Sequence, residues 1–215
     1  MKLKQIFGDK RIVALAGNKN AGKTNNLLAL IKDFRQHNVS TPIYIYGFNT
    51  ETTHWVTQFK NIYEISSLEQ LTTKTNAIFI IDEFQLLKLN DPRYKDLLNS
   101  FVDFIYQKEA NNRCILCSPN LREFNSTIGG KVERWLLKSI SYSACINGSQ
   151  LKKVVEDYKG RYKRLKDIVL EPNQLLVINS DKEMIMELEY IKKGDTKADN
   201  HDIFKTEIIK KIIKK

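Results

Sequence analysis

The sequence predicts an α/β fold: a mainly parallel sheet with helices on both faces and extra strands toward its C-terminal end. Three observations predict it. Between residues 11 and 120, short continuous apolar runs alternate with longer amphipathic stretches, and such alternation builds a parallel sheet covered on both sides. A glycine-bearing loop follows the first apolar run directly, at the point where a strand hands over to a helix. From about residue 140 the alternation stops, and strand-like runs follow one another across short linkers.

The elements follow in chain order. RIVALA, Arg11 to Ala16, reads as a buried strand. GNKNAGKT occupies residues 17 to 24, and TNNLLALIKDFRQHN then places Leu27, Leu28, Ile31 and Phe34 on one helical face. Pro42 stops that helix, and IYIYGFN reads as the second strand. NIYEIS is a shorter strand, and SSLEQL a turn of helix. Ala77 to Ile81, AIFII, is a strand ending in Asp82 and Glu83. Asp91 and Pro92 open a long helix striped by Leu97, Leu98, Phe101, Phe104 and Ile105. RCILCS is the next strand, ended by SPN. SYSACI, QLLVIN and MIMELEYI are strand-like and close a sheet edge. The expected organisation is one domain over residues 1–198 and a basic amphipathic helix over 199–215.

Composition narrows the partners. The chain of 215 residues carries a formal net charge of +10, which favours a polyanion. Three cysteines argue for a reducing compartment rather than a disulfide framework. Cys114 and Cys117 spell C-x-x-C, but residues three apart on a strand face opposite sides and cannot share one metal. No apolar run approaches the ~20 residues of a membrane span, and MKLKQIFGDKR lacks the apolar core of a signal peptide. A cytoplasmic location in a host cell is the expectation, with association with a virion possible.

The chemistry lies in two places. Gly17 to Thr24 matches the P-loop pattern with a strand before it and a helix after it. Gly17 and Gly22 let the backbone curl around phosphate oxygens, and amides from Asn20 to Thr24 face the anion at the helix start. Lys23 reaches the β- and γ-phosphates, and the Thr24 hydroxyl takes a magnesium site. The nucleotide cradle therefore comprises Gly17, Asn18, Lys19, Asn20, Ala21, Gly22, Lys23, Thr24 and Asn25. ATP and Mg2+ are the expected cofactors. Asp82, ending a hydrophobic strand, is suited to hold magnesium through water, and Glu83 to orient an attacking water. The acidic pair favours a nucleotide hydrolase over a small-molecule kinase. Ser118 and Asn120 serve either as γ-phosphate sensors or as turn residues around Pro119. Arg113, Arg122 and Arg134 are candidates for neutralising transition-state charge. Arg113 begins its strand at the end away from its own loop, so it would act in a neighbouring subunit, whereas Arg122 and Arg134 are read as following the strand's active end.

GNKNAGKT, AIFIIDEFQ and NNRCILCSPN together resemble the FtsK/HerA class of P-loop DNA pumps. Within that class the sequence is most similar to genome-packaging ATPases of membrane-containing icosahedral viruses. The resemblance covers residues 10 to 147. It implies a RecA-like core with an additional strand, ATP hydrolysis, a homo-oligomeric ring, usually hexameric, and double-stranded DNA threaded through it. A viral capsid or membrane vertex is a further partner it suggests. It also implies that Lys23 and Thr24 bind nucleotide and metal, Asp82 coordinates magnesium, Glu83 activates water and Arg113 is the trans finger. The sensor strand departs from the family, ending in Ser118-Pro119-Asn120 rather than Thr-Gln or Ser-Gln. IDEFQ also resembles the Asp-Glu-x-Gln run of thymidine kinases, but the paired zinc cysteines of that family are missing. A membrane-bound phage assembly ATPase or a conjugation ATPase is the other alternative.

Two basic stretches accompany the motifs. LKKVVEDYKGRYKRLK, residues 151 to 166, interleaves Tyr158 and Tyr162 among cations, as a DNA-backbone contact or a solvated helix face. IFKTEIIKKIIKK sets Phe204, Ile208 and Ile212 at i, i+4 spacing, as a membrane-surface helix or one packed on its own domain.

Overall fold

The computed structural model describes residues 2–84, 93–119, 124, 128–138, 170–171, 173–178, 183–189 and 191. Eight strands form one sheet: β1 (Ile12–Ala16), β2 (Ile43–Tyr46), β3 (Ile62–Glu64), β4 (Ile78–Ile81), β5 (Arg113–Ser118), β6 (Arg134–Leu137), β7 (Gln174–Ile178) and β8 (Glu183–Glu187). Their order is β3-β2-β4-β5-β1-β6-β7-β8. All pairings from β3 to β6 are parallel, and the last two are antiparallel. The β7–β8 hairpin is the sheet-edge addition that QLLVIN and MIMELEYI predict. SYSACI, the basic stretch 151–166 and the segment 199–215 lie outside the described residues.

Both faces are covered. Val13, Leu15, Ile80, Ile115 and Leu136 pack against α1 (Lys2–Phe7), α2 (Lys23–His37) and α3 (Thr50–Thr57) in one core. Ala14, Phe79, Ile81, Leu116 and Trp135 pack against α4 (Tyr94–Tyr106) in the other. Strand alternation divides the two described cysteines, with Cys114 in the α4 core and Cys117 in the α2 core.

Three elements go beyond the sequence reading. α1 is a short N-terminal helix that buries Leu3, Ile6 and Phe7. α3 forms from TETTHWVT, a poor helix sequence because threonine is β-branched. Its support is the Asn49 cap, whose side chain accepts from the Thr52 N–H at 2.8 Å, and the burial of Trp55 and Val56. β6 comes from RWLL, a run of four buried residues beside β1.

Sheet order positions the site. β5 stands between β1 and β4, with Ala16 level with Ser118 and Ile81 level with Leu116. The loop after β1, the acidic pair after β4 and the end of β5 therefore meet at one edge, the carboxyl end where parallel sheets take their ligands.

Candidate nucleotide site

The loop after β1 has the backbone its sequence requires. Asn20 and Gly22 adopt left-handed φ angles of 63° and 83°, which curl the chain before α2. The first i→i−4 bond of α2 is Asn26 N–H to Gly22 O, at 3.0 Å. The N–H groups of Lys23, Thr24 and Asn25 precede it and are open to an anion at the helix start. The Lys23 side chain is buried and folds back over the loop, donating to Gly17 O at 3.0 Å and Asn18 O at 2.7 Å. Its ammonium thus hangs at the mouth of the cradle. Lys19 and Asn18 are exposed on the loop.

The two motifs meet through one contact. The Thr24 hydroxyl donates to Asp82 Oδ2 at 2.7 Å across 58 residues of chain. Asp82 is only 3% exposed. Its Oδ1 accepts the Glu83 N–H at 3.0 Å. A hydroxyl that gives its proton to a carboxylate keeps its lone pairs free for a hard cation, and oxygen donors of this kind suit magnesium. The donor set therefore fits a magnesium–triphosphate. Glu83 is half-buried beyond Asp82 and holds a left-handed φ of 47°. Such a backbone is strained for glutamate, and strain of this kind concentrates at functional turns.

Three neighbours of the site lie outside both motifs. Gly47 follows β2, and its φ is 81°. A Cβ there would lie 1.9 Å from the Asp82 carbonyl oxygen. Only glycine lets β2 come this close to the acidic turn. Cys117 is fully buried next to the acidic turn. Burial, then the adjacent carboxylate, push its thiol pKa well up. Lys138 follows β6; its N–H donates to Ala16 O at 2.9 Å. A Cβ on Gly17 would meet the Lys138 Cβ at 2.6 Å, so packing alone demands the loop's first glycine. The Lys138 ammonium donates to Glu171 O at 2.9 Å and Gln174 O at 2.6 Å, and burial lowers its pKa to about 8. The signal for Gly47 lay in IYIYGFN, where a glycine ends an apolar strand. Neither Cys117 nor Lys138 carries such a signal.

Other predicted residues fall as follows. The Asn25 side chain pairs with the Ile191 backbone, donating to its carbonyl and accepting its N–H at 3.4 Å. Ser118 ends β5 in full burial, and alternation puts it on the face opposite Cys117. Asn120 and Arg122 lie outside the described residues. Arg113 starts β5 at the edge away from the loop, with its guanidinium 5.6 Å from the Phe7 ring centroid. Arg134, read from the sequence as following the active end, sits at the opposite edge. β6 runs parallel to β1, so the chain must cross back before the strand begins. There Arg134 is buried and donates to the Gln5 and Ile6 carbonyls at the end of α1.

No family model matches the chain, and no curated protein matches its sequence. Solved structures match its fold. It is shared with P-loop ATPases of the FtsK/HerA type. The DNA-packaging ATPase B204 from Sulfolobus turreted icosahedral virus is similar with a TM-score of 0.56 and 13% identity, over 85% of this chain and 98% of that one. EccC of Thermomonospora curvata, a type VII secretion ATPase, is similar with a TM-score of 0.59 and 12% identity, over 86% of this chain and 38% of that one. The conjugation coupling protein TcpA of pCW3 matches with a TM-score of 0.54 and 12% identity, over 86% and 61%. B204 of the related virus 2 was solved with ATP-γS and with AMPPCP. Among the described residues, no helix is long and apolar enough to cross a membrane.

Proposed function

We propose that this chain is a magnesium-dependent ATPase that moves double-stranded DNA, the motor of a viral genome-packaging ring. The observation that carries the nucleotide reading is the 2.7 Å contact of Thr24 with Asp82, which joins the loop to the acidic turn at the sheet's carboxyl edge. Packaging is favoured by the likeness to B204 along nearly the whole of that protein, and DNA by the +10 charge.

Each residue has a defined task. The amides of Lys23, Thr24 and Asn25 bind phosphate oxygens, and the Lys23 ammonium leaves its loop carbonyls for the outer phosphates. Thr24 and Asp82 would hold magnesium, which when bound neutralises charge on the phosphates. Glu83 accepts a proton from, and orients, the water that attacks the terminal phosphorus.

Arg113 completes the site of the next subunit. Among the described residues, three arginines stand at the far edge of the sheet. Arg11 donates to the Ile105 and Gln107 carbonyls at 3.0 and 2.9 Å, and Arg134 to those of Gln5 and Ile6. Arg113 rests on an aromatic face instead, a contact it can leave at a cost of ~1 kcal/mol.

The test is the ATPase rate with and without duplex DNA, measured alongside oligomer size. Stimulation by DNA in a ring-sized species is the expected result. DNA-independent phosphate transfer to thymidine would replace this reading with a nucleoside kinase. A reading as a conjugation ATPase, favoured by the TcpA likeness, also predicts DNA stimulation; packaging of DNA into capsids in vitro separates the two.

A further inference from the structure

Continuing the β4–β5 register by one residue past Ile81 and Leu116 sets Asp82 beside Cys117. Both side chains face the α2 core, because each alternates with a residue of the α4 core. On its other side Cys117 is level with Leu15, two residues before the loop. The thiol therefore lies in the floor of the nucleotide site, fully buried, between the strand that feeds the loop and the acidic turn.

Asp82 has two oxygens to orient. Thr24 holds one at 2.7 Å and the Glu83 N–H the other at 3.0 Å. A carboxylate has about four acceptor sites, so Asp82 has room for a further donor, and a thiol can supply one. We propose that Cys117 is a positioning residue: its S–H donates to the Asp82 carboxylate and fixes the Asp82–Glu83 turn for metal binding. The proposal rests on the magnesium–nucleotide reading above. Outer partners of a metal-binding carboxylate set its orientation, and losing one costs ~10–100-fold in metal affinity. Cys114 has no such role, since it faces the α4 core on the same strand.

Three forms of the full chain test this: unaltered, Cys117→Val and Cys117→Ser. Valine keeps the volume and suits a strand; serine keeps a donor. A fluorescent ATP analogue is titrated with and without magnesium, and infrared difference spectra between the unaltered chain and Cys117→Val isolate the S–H stretch of Cys117. The expected result is a band shifted to the low frequency of a thiol bonded to a carboxylate. Cys117→Val should need ~10-fold more magnesium to tighten nucleotide binding, with metal-free binding unchanged. Cys117→Ser should stay within about twofold of the unaltered chain.

A magnesium effect in the unaltered chain that Cys117→Val leaves intact overturns the role of Cys117 alone. So does an S–H band at the free-thiol frequency, or a loss in Cys117→Ser equal to that in Cys117→Val. No magnesium effect in the unaltered chain overturns the nucleotide reading and the positioning role with it. Should Cys117→Val fail to fold, Cys117→Ala replaces it, and the band of the unaltered chain, assigned by its shift in Asp82→Asn, still decides.

Discussion

At the carboxyl edge of the sheet, a side-chain contact ties the loop to the acidic turn; at the opposite edge, arginines tie helix ends to the sheet. Thr24 reaches Asp82 from 58 residues away, and Lys23 folds over its own loop onto the Gly17 and Asn18 carbonyls. Arg11 and Arg134, by contrast, are held by carbonyls that end α4 and α1. Helix C-termini present orphan carbonyls, and arginine satisfies several at once. The same sheet thus gathers charge around the loop at one edge and uses it to close helix ends at the other. Arg113 is the exception at the structural edge, because its guanidinium lies on the Phe7 ring.

Substitutions at the two edges should separate along that line. Lys23→Ala should give the largest effect: loss of detectable nucleotide binding, and of turnover with it, in a chain that still folds, read by fluorescent-nucleotide titration. Retained affinity would remove the cradle from the account. Arg113→Ala should slow turnover by ~1000-fold while shifting stability by no more than ~1 kcal/mol. Mixing it with a Lys23→Ala chain should restore activity if the arginine serves a neighbour; failure to restore would make the contact internal. Gly47→Ala should destabilise by ~3 kcal/mol, from its left-handed backbone and the collision with Asp82 O, and should weaken magnesium-dependent binding as well. Normal metal dependence in that variant would break the link between β2 and the acidic turn. Arg134→Met should be smallest, losing ~2 kcal/mol in urea unfolding with turnover per folded molecule unchanged.

The legible parts of this molecule are those with local spacing. GNKNAGKT carries its turn glycines, lysine and threonine within eight residues, and the apolar runs around β1, β4 and β5 read directly as buried strands. What spacing does not encode is which strands become neighbours. Gly47 matters only because β2 lies beside β4, and Cys117 only because β5 lies between β4 and β1. Those pairings are made across the chain by packing. α3 was hidden because four threonines argue against helix until Trp55 and Val56 have a core to enter. The position of Arg134 is illegible for a related reason: RWLL is too short to announce β6, and a parallel strand must start at the edge its predecessor left behind. Asp91 and Pro92 lie outside the described residues, but the helix they were expected to open runs from Tyr94, with Leu98, Phe101 and Ile105 in the core.

The central claim is that Glu83 sets a water on the terminal phosphorus of a triphosphate held by the Gly17–Thr24 loop. Incubating Glu83→Gln with ATP and magnesium, then releasing the retained nucleotide with acid and resolving it by chromatography, tests it most directly. The account predicts that the protein binds nucleotide as tightly as the unaltered chain and returns it as ATP. Recovery of ADP at the unaltered rate would contradict it.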